Sequence, residues 1–345
     1  MNRPLGRVEF GGPDLPPRRL RDILQDYVDG SPSGSRIDWV TYYFRDRALA
    51  EALMRAVDRG VRVQLVLERH PRREDANDQV IAMLRHHGLG GGLHLRSAEG
   101  RDGIEGHVHA KIYAFSSPDI AWVGSFNPSG DEPENPDVIA EIGDQDRGHN
   151  LLLGIERPGL TEALRRFIAG LAAPPRRGLI WRWSSYWSVG DGDTRLYFYP
   201  RVTNLVVEPR IALLGRSGRV RAAISHLKKG PLIKALVRAA RHGAHVDLLV
   251  HDTQRRVSNK AMTALSESGV EIRRVVHPDG LPMHAKFILI ERGKRRTAWL
   301  GSYNFNDKSR FHNIELLLAS TNEELFETLS ARFHVIGELS RGTMA

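Results

Sequence analysis

The amino-acid sequence predicts an α/β protein made of two similar units, each a mixed β-sheet flanked by helices. A strand-helix-strand pattern occurs twice along the 345 residues, and a His-x-Lys pair with a Gly-Ser-x-Asn sequence follows each copy. A chain of this length can form two hydrophobic cores of ordinary size. We therefore expect an N-terminal repeat over 1–180 and a C-terminal repeat over 181–345.

The first unit begins with "RVEFGGPDLPPRRLRDILQDYV", which combines a short strand with an amphipathic helix. Residues 36–44, "RIDWVTYYF", form the next predicted strand, and residues 46–59 carry apolar side chains at helical spacing until Gly60. "VRVQLVLE" alternates as a second strand would. Because a strand-helix-strand crossover normally joins parallel strands, the sheet should contain parallel pairs.

The second unit has the same order of elements, in "GRVRAAISHL", "GPLIKALVRAARHG" and "AHVDLLVHD". Residues 49–67 and 232–250 align without a gap with eight identities in nineteen positions, including Gly60 and Gly243. "RLYFYPRVTNLVVEPRIALL" supplies the opening strand and helix, and the Pro-rich "LAAPPRRG" before it predicts the boundary near residue 180. Any two such units share an apolar pattern, but the repeated polar motifs indicate a duplication.

Composition restricts the class of protein. The 41% hydrophobic and 26% charged residues are typical of a globular protein, and no apolar run approaches the roughly 20 residues of a membrane-spanning helix. The N-terminus has no apolar segment after its basic residues, so we expect a cytoplasmic protein. The absence of cysteine excludes disulfides and thiol nucleophiles. The net charge of +9 suits an anionic partner, although many solvated Arg-rich proteins carry a similar excess.

The repeated motifs carry residues that suit phosphate chemistry. In "HVHAKIYAF" and "MHAKFILI", strand alternation places the histidine and the lysine of each pair on one face. The lysine is a point charge for phosphate, the turn offers hydroxyl and amide donors, and a histidine can act as nucleophile, acid or base. The candidate residues are His109, Lys111, Ser125 and Asn127 in the first copy, and His284, Lys286, Ser302 and Asn304 in the second.

The motif residues also allow a purely structural and a metal-binding interpretation. A lone histidine on a strand is usually structural, and a lone Gly-Ser-x-Asn is usually a turn, but their joint occurrence twice argues against both. His107 and His109 also have the spacing of metal ligands on a strand. The second copy has Met283 beside its histidine and no such pair, and Lys111 would repel a dication. We therefore expect neither a metal ion nor another cofactor.

These residues resemble the phospholipase D superfamily, whose signature is His-x-Lys-x4-Asp followed by Gly-Ser-x-Asn, present twice in one chain. The resemblance covers both halves of the sequence. It implies two phospholipase D-like repeats packed as a pseudo-twofold pair, with both motifs meeting in a single active site that works without metal. It also implies a covalent phosphohistidine intermediate in the cleavage of a phosphodiester.

The resemblance implies a role for each matching residue. His109 would be the nucleophile, and His284 the general acid that later activates water or an alcohol. The division of labour between the two histidines follows the commoner order in the family. Residues expected to bind the phosphate oxygens are Lys111, Lys286, Asn127 and Asn304, with Ser125 and Ser302 in support.

Two departures from the family pattern stand out. Ser116 and Glu291 occupy the positions of the motif Asp, which resembles a hairpin-stabilising residue, so we expect an active enzyme. The family also tends to have Asn-x-Glu after the turn, with the carboxylate orienting a catalytic histidine. Asn313 and Glu315 fit this pattern, whereas Asn150 is followed by Leu152, so one histidine needs a different orienting group, such as a backbone carbonyl or a nearby acid. The candidate orienting residues are Glu315, Asn313 and Asn150.

Three further segments bear on the substrate. Aligning the Arg-x-His-Asn shared by both copies gives the first copy an insertion over 128–146, fourteen residues longer than its counterpart. It carries seven acids and reads as a solvated loop or as a lid that repels a long polyanion. The segment 181–187 contains three tryptophans, which suit inter-repeat packing, a lipid surface or stacking. The basic turn 291–297 reads first as a solvated hairpin.

Together these features favour a phospholipid as substrate, with an endonuclease or other nucleic-acid phosphodiesterase of the same superfamily as the alternative. We expect a monomer with internal pseudo-twofold symmetry and a peripheral contact with a membrane surface. Whether water or an alcohol accepts the phosphoryl group stays open at this point.

Overall fold

The computed structural model describes residues 5–98, 105–130, 147–174, 188–201 and 205–342. The strands are β1 (Val8–Gly11), β2 (Arg36–Thr41), β3 (Arg62–Glu68), β4 (Leu93–Arg96), β5 (Ile112–Ser116), β6 (Asp119–Gly124), β7 (Asn150–Ile155), β8 (Ser188–Asp191), β9 (Thr194–Tyr199), β10 (Gly218–Ile224), β11 (His245–His251), β12 (Glu271–Val275), β13 (Lys286–Arg292), β14 (Arg295–Gly301) and β15 (Glu315–Ser320). The helices are α1 (Arg19–Asp29), α2 (Arg47–Asp58), α3 (Asp78–His87), α4 (Pro158–Ala172), α5 (Glu208–Ala212), α6 (Pro231–Arg241), α7 (Asn259–Ser266), α8 (Asp307–Phe311) and α9 (Glu323–Gly342).

The strands form two mixed sheets, as predicted. The first has the order β1-β7-β6-β5-β2-β3-β4, and the second has the order β12-β11-β10-β13-β14-β15-β9-β8. Read from its other end, the second sheet repeats the first, with β9 in the place of β1 and with β8 added at its edge. In both sheets the predicted strand-helix-strand unit gives a parallel pair, β2 with β3 and β10 with β11.

The two sheets share one continuous core. It contains Ile112 of β5, Phe287 of β13 and apolar side chains of α4 and α9, all buried. The opposite face of each sheet has its own core, built on Trp39 and Trp122 in the first and on Trp299 in the second. The two repeats therefore pack through their inner faces, which brings equivalent strand ends together.

The boundary near residue 180 and the three tryptophans of 181–187 lie outside the described residues, as do the seven acids of 131–146. The division at 180 stays a prediction. In the described part of the chain, no helix combines the length and the hydropathy needed to cross a bilayer.

Candidate active site

The two motif segments cross between the repeats. His109 lies just before β5, and its backbone N–H donates to the carbonyl of Ile314, 2.8 Å away in the second repeat. His284 lies just before β13, and its N–H donates to the carbonyl of His149, 3.0 Å away in the first repeat. Each segment thereby extends alongside a strand end of the other repeat, so that both histidines belong to one composite site.

The ring of His109 is held by a buried carboxylate from the opposite repeat. Its Nδ1 lies 2.9 Å from Oε2 of Glu315, the first residue of β15, which is fully buried. Oε2 also accepts from the Ser302 hydroxyl at 2.5 Å, while Oε1 accepts from Ser309 at 2.7 Å and from the Asn313 amide at 3.2 Å. Four donors fix this carboxylate, so the Nδ1–H of His109 points at Glu315 and Nε2 is left for the reacting atom.

The ring of His284 is held in the same way by a neutral group. Its Nδ1 lies 3.0 Å from Oδ1 of Asn150, the first residue of β7, and the Ser125 hydroxyl donates to the same oxygen at 2.9 Å. Asn150 is one of the orienting residues expected from the sequence, and its side chain supplies this acceptor in place of a backbone carbonyl or an acid.

The register of these contacts corrects the alignment of the two copies. Ser125 and Ser302 each accept a hydrogen bond from the backbone N–H of the next strand, that of Leu151 at 3.1 Å and that of Leu316 at 3.0 Å. Asn150 is therefore the counterpart of Glu315, not of Asn313. The shared Arg-x-His-Asn is out of register by two positions, and the first connection is twelve residues longer than the second rather than fourteen.

The Gly-Ser-x-Asn turns bring the backbone close to the neighbouring strand. A Cβ at Gly124 would lie 2.1 Å from the carbonyl oxygen of Leu151, so no larger residue fits. A Cβ at Gly301 would likewise lie 2.3 Å from the carbonyl oxygen of Leu316. The two serine hydroxyls donate to Asn150 and Glu315, so each serine positions the group that holds a histidine. The expected support of these serines in phosphate binding stays a prediction.

The two asparagines of these turns are buried at the same strand ends. Oδ1 of Asn127 accepts from the backbone N–H of Tyr43 at 3.3 Å, so its amide nitrogen points away from Tyr43. Oδ1 of Asn304 is buried without a hydrogen-bond partner among the described residues. A buried polar atom without a partner is costly, and an added ligand could satisfy it.

Both motif lysines are fully buried. The ammonium of Lys111 donates to the carbonyl of His109 at 2.6 Å, and that of Lys286 donates to the carbonyl of His284 at 2.7 Å. Burial lowers the pKa of Lys111 to about 7, against the attraction of Glu315. Burial and the charge of Lys111 hold the pKa of Lys286 well below its ordinary value.

The same environment acts on the histidines. Burial, followed by the charges of Lys111 and Lys286, lowers the pKa of His109 to about 4, although Glu315 opposes this shift. Burial and the same two lysines hold the pKa of His284 well below its ordinary value. An anion near the two ammoniums would oppose each of these shifts, since a negative charge favours the protonated forms. The site is therefore built for an anionic ligand.

The two repeats line this site differently. In the first, the ring of Tyr42 lies 5.1 Å from the ring of His109, and the Lys111 ammonium lies 5.4 Å from the Tyr42 ring centre. In the second, the sheet register places Ser225 at the position of Tyr42 and His226 beside it. Burial and Arg256 hold the pKa of His226 well below its ordinary value. Sequence reasoning missed these side chains because they follow β2 and β10, outside any motif.

The positions that replace the motif Asp lie at the far ends of β5 and β13. The Ser116 hydroxyl accepts from the backbone N–H of Arg36 at 2.8 Å, which ties β5 to β2. The carboxylate of Glu291 accepts from Arg221 of β10 at 2.8 Å. Both residues connect neighbouring strands. Among the described residues there is also no cluster of three or more histidines and acids that could hold a metal ion.

Comparisons with known proteins relate this arrangement to a family. Residues 31–141 and 211–336 match the domain family described as cardiolipin synthase, PLD-like domain. The polyphosphate kinase of Thermosynechococcus vestitus (strain NIES-2133 / IAM M-273 / BP-1) is 32% identical over 116 residues, which are 32% of this chain and 16% of that protein. The chain thus spans a small part of this curated relative.

Two solved structures share the fold over nearly the whole chain. Phosphatidylserine synthase from Haemophilus influenzae Rd KW20 superposes with a TM-score of 0.68 at 14% identity, covering 96% of this chain and 86% of that one. Polyphosphate kinase from Porphyromonas gingivalis superposes with a TM-score of 0.62 at 16% identity, covering 96% of this chain and 50% of that one. At these identities the likeness shows the fold alone.

Proposed function

Because this chain belongs to the phospholipase D-like domain family, we propose that it is a phosphodiesterase or phosphatidyl transferase that works without a metal ion. The observation that carries the proposal is the pair of imidazoles, each oriented through Nδ1 by a side chain of the opposite repeat, beside two buried ammoniums. This constellation provides a nucleophile, an acid and a cradle for one phosphate.

In the proposed first step, Nε2 of His109 attacks phosphorus and forms an N–P bond. The bond from phosphorus to the leaving oxygen breaks, and His284 gives its proton to that oxygen. In the second step, His284 takes a proton from water or an alcohol, whose oxygen attacks phosphorus and displaces His109. Bond formation and proton transfer balance over the cycle, and neither step needs a further reactant.

The orienting groups support the assignment of His109 as the nucleophile. A phosphohistidine whose Nδ1 stays protonated carries a positive charge on the ring, and the carboxylate of Glu315 stabilises that charge. Asn150 offers His284 only a neutral acceptor, so the imidazolium of His284 releases its proton more readily. A bound phosphodiester offsets the positive charges of Lys286 and Lys111 and so raises the pKa of His284. His284 is therefore protonated when the substrate binds.

The transferred phosphate is placed between the two lysines. Lys111 and Lys286 each donate one hydrogen to a carbonyl, which leaves the others for the non-bridging oxygens. We propose that the side-chain amides of Asn127 and Asn304 donate to the same phosphate oxygens. The buried Oδ1 of Asn304, which has no hydrogen-bond partner among the described residues, supports this. If the amide group is rotated by 180°, its NH₂ takes the position of Oδ1 and can donate to the phosphate.

For the substrate we propose a phospholipid. The matching family is described as cardiolipin synthase, PLD-like domain, and the seven acids after Asn127 in the sequence would disfavour a long polyanion. A nucleic acid is the second candidate, and the net charge of +9 is compatible with either anionic substrate. The monomeric state, the cytoplasmic location and a peripheral membrane contact stay predictions.

The chemistry is tested with bis(p-nitrophenyl) phosphate in the presence of EDTA. His109→Asn should lower kcat by on the order of 10⁴-fold or more, as loss of a nucleophile does. His284→Asn should retain the first step, because p-nitrophenolate leaves without a proton, and should accumulate an acid-labile phosphoenzyme. His86→Asn, at an exposed histidine of α3, is the control. Full turnover by His109→Asn, or strong inhibition by EDTA, would overturn the proposal.

The substrate is tested by presenting phosphatidylglycerol vesicles, single-stranded DNA and RNA side by side to the wild-type protein. Cleavage or headgroup exchange of the lipid with intact nucleic acid is the expected result. The opposite result would assign the protein to the nucleic-acid phosphodiesterases.

A further inference from the structure

One wall of the active site extends beyond the reacting histidine. The ring of Tyr42 lies 5.1 Å from the ring of His109 and 5.3 Å from that of His107. Both imidazoles therefore face the same phenol, which is buried, and the backbone N–H of Arg72 donates to its hydroxyl at 2.7 Å. The wall leads from the reaction centre to a second polar position beside His107.

A lysine of the opposite repeat meets this second position. Nζ of Lys308, on α8, lies 3.1 Å from Nε2 of His107. Burial and the charge of Lys308 lower the pKa of His107 to about 3, so that its neutral ring accepts the hydrogen bond. Lys308 is exposed and has no carboxylate partner among the described residues, which leaves two of its three N–H groups for a ligand.

Two acids and two cations lie near Lys308. Partial burial lowers its pKa, the acids Glu105 and Glu68 oppose this, and the charges of Lys228 and Arg72 add to it. Burial raises the pKa of Glu68 to about 7, so this carboxyl is about half ionised at neutral pH. Lys308, Lys228 and Arg72 thus lie near two carboxyl groups, of which Glu68 is partly protonated.

The opposite wall of the site lacks this arrangement. Two backbone bridges join the repeats, one between Val108 and Ile314 and the other between Met283 and His149. By the pseudo-twofold symmetry, Met283 is the counterpart of Val108, and His149 is the counterpart of Ile314. Pro282 therefore takes the position of His107, and Ser225 takes that of Tyr42. Among the described residues, the His284 side therefore has no equivalent of the Lys308, His107 and Tyr42 arrangement, so the two substituents on phosphorus would meet different groups.

We propose that Lys308, His107 and Tyr42 form a subsite for a second phosphoryl group, carried by the substrate next to the phosphodiester that is cleaved. This inference rests on the proposed function for the position of the first phosphate. The ammonium of Lys308 and the remaining N–H of His107 donate to the second phosphate, and the face of Tyr42 packs against the atoms that link the two groups. The preferred substrates then have two phosphoryl groups, as in a phosphorylated phospholipid headgroup.

The subsite is tested first by binding, which needs no turnover. Calorimetry should show thymidine 3′,5′-bisphosphate binding about tenfold or more tightly than the 5′-monophosphate, as expected of one additional charge-assisted contact. Lys308→Gln should abolish that preference, and Lys308→Arg should keep most of it. Lys294→Gln, at an exposed lysine of the β13–β14 hairpin, is the charge-matched control and should keep all of it. Equal affinities for wild type, or an equal loss of both ligands in Lys308→Gln, would overturn the subsite.

Turnover then distinguishes the source of the second phosphate. Wild type should prefer thymidine 3′-phosphate 5′-(p-nitrophenyl phosphate) to the same ester without the 3′-phosphate. Vesicles with phosphatidylglycerol phosphate or phosphatidylglycerol make the same comparison for a lipid. A preference in the lipid pair alone identifies a lipid-borne phosphate, and a preference in neither pair contradicts the subsite. If no ester is cleaved, the proposed function fails while the binding preference still decides the subsite.

Discussion

The two repeats present the same histidine in two different electrostatic settings. In one, the His109 ring donates to the buried carboxylate of Glu315, and in the other the His284 ring donates to the amide oxygen of Asn150. Geometry is conserved between them, including the serine that supports each acceptor. The charge of the acceptor differs, and under the proposed mechanism that difference would suit His109 to carry the covalent phosphate and His284 to exchange a proton.

The same contrast extends to the walls. The first repeat supplies the aromatic Tyr42, and the second supplies His226 and Arg256 at the corresponding side of the site. A fold with equal residues on both sides of its pseudo-twofold axis could bind a phosphodiester in either direction. Unequal walls remove that degeneracy, because the two substituents on phosphorus meet different side chains.

The largest expected effect comes from removing the charge that distinguishes the two histidines. Glu315→Gln keeps the shape of the side chain but removes the negative charge that stabilises the positively charged phosphohistidine ring of His109. We therefore expect kcat to fall on the order of 10³- to 10⁴-fold. Steady-state kinetics with bis(p-nitrophenyl) phosphate measures this. Glu208→Gln, at another buried carboxylate, controls for general destabilisation. A loss below tenfold would mean that the carboxylate does not separate the roles.

A smaller effect follows from making the two histidines alike. Asn150→Asp places a carboxylate 3.0 Å from the ring of His284, which raises the pKa of that ring. The alkaline limb of the pH–rate profile, where the acid loses its proton, should move upward by about one to two pH units. Asn150→Ala serves as control, because it removes the acceptor without adding charge and should lower the rate without that displacement. An unmoved limb in Asn150→Asp would assign the acid to another residue.

Much of the fold was predictable because the apolar periodicity of 36–68 recurs at 218–251, and local patterns of this kind determine which segments become strands and helices. The two mixed sheets are confirmed. The short β1 and β9 were visible as well, since each precedes an amphipathic stretch.

The structural equivalence of Asn150 in the first repeat and Glu315 in the second could not be predicted. It depends on hydrogen bonds between repeats, and the local identity Arg-x-His-Asn pointed to a register two residues away. The residues of the wall were missed for a related reason. Tyr42, His226 and Lys308 are ordinary in the sequence, and only the packing of the two inner faces brings them to the motif histidines.

A third effect concerns the proton that Lys111 takes up when an anion binds, which makes affinity depend on pH. The pKa of Lys111 is about 7 in the free protein, and a bound anion raises it, so binding takes up a proton when the pH exceeds 7. Affinity for inorganic phosphate should therefore fall above pH 7, by up to about tenfold per pH unit, as calorimetry between pH 6 and 9 would show. Lys111→Arg, whose guanidinium stays protonated, should weaken that dependence. If the slope is the same in both proteins, Lys286 or a histidine takes up the proton.

The smallest expected effect concerns the far ends of the motif strands, where the repeats also differ. Glu291 joins β13 to β10 through Arg221, and both side chains are mostly buried, with exposures of 21% and 10%. Glu291→Gln should lower the free energy of unfolding by about 1 kcal/mol, which denaturant titration measures, and should leave kcat within about twofold. Ser116→Ala, which removes only the acceptor for the Arg36 N–H, is the matched change in the first repeat and should cost no more. A large loss of kcat in Glu291→Gln without unfolding would show that this end of the strand communicates with the histidines. In that case the lost motif Asp would be more than a hairpin residue, and its replacement by Ser in one repeat and Glu in the other would belong to the same functional asymmetry as Asn150 and Glu315.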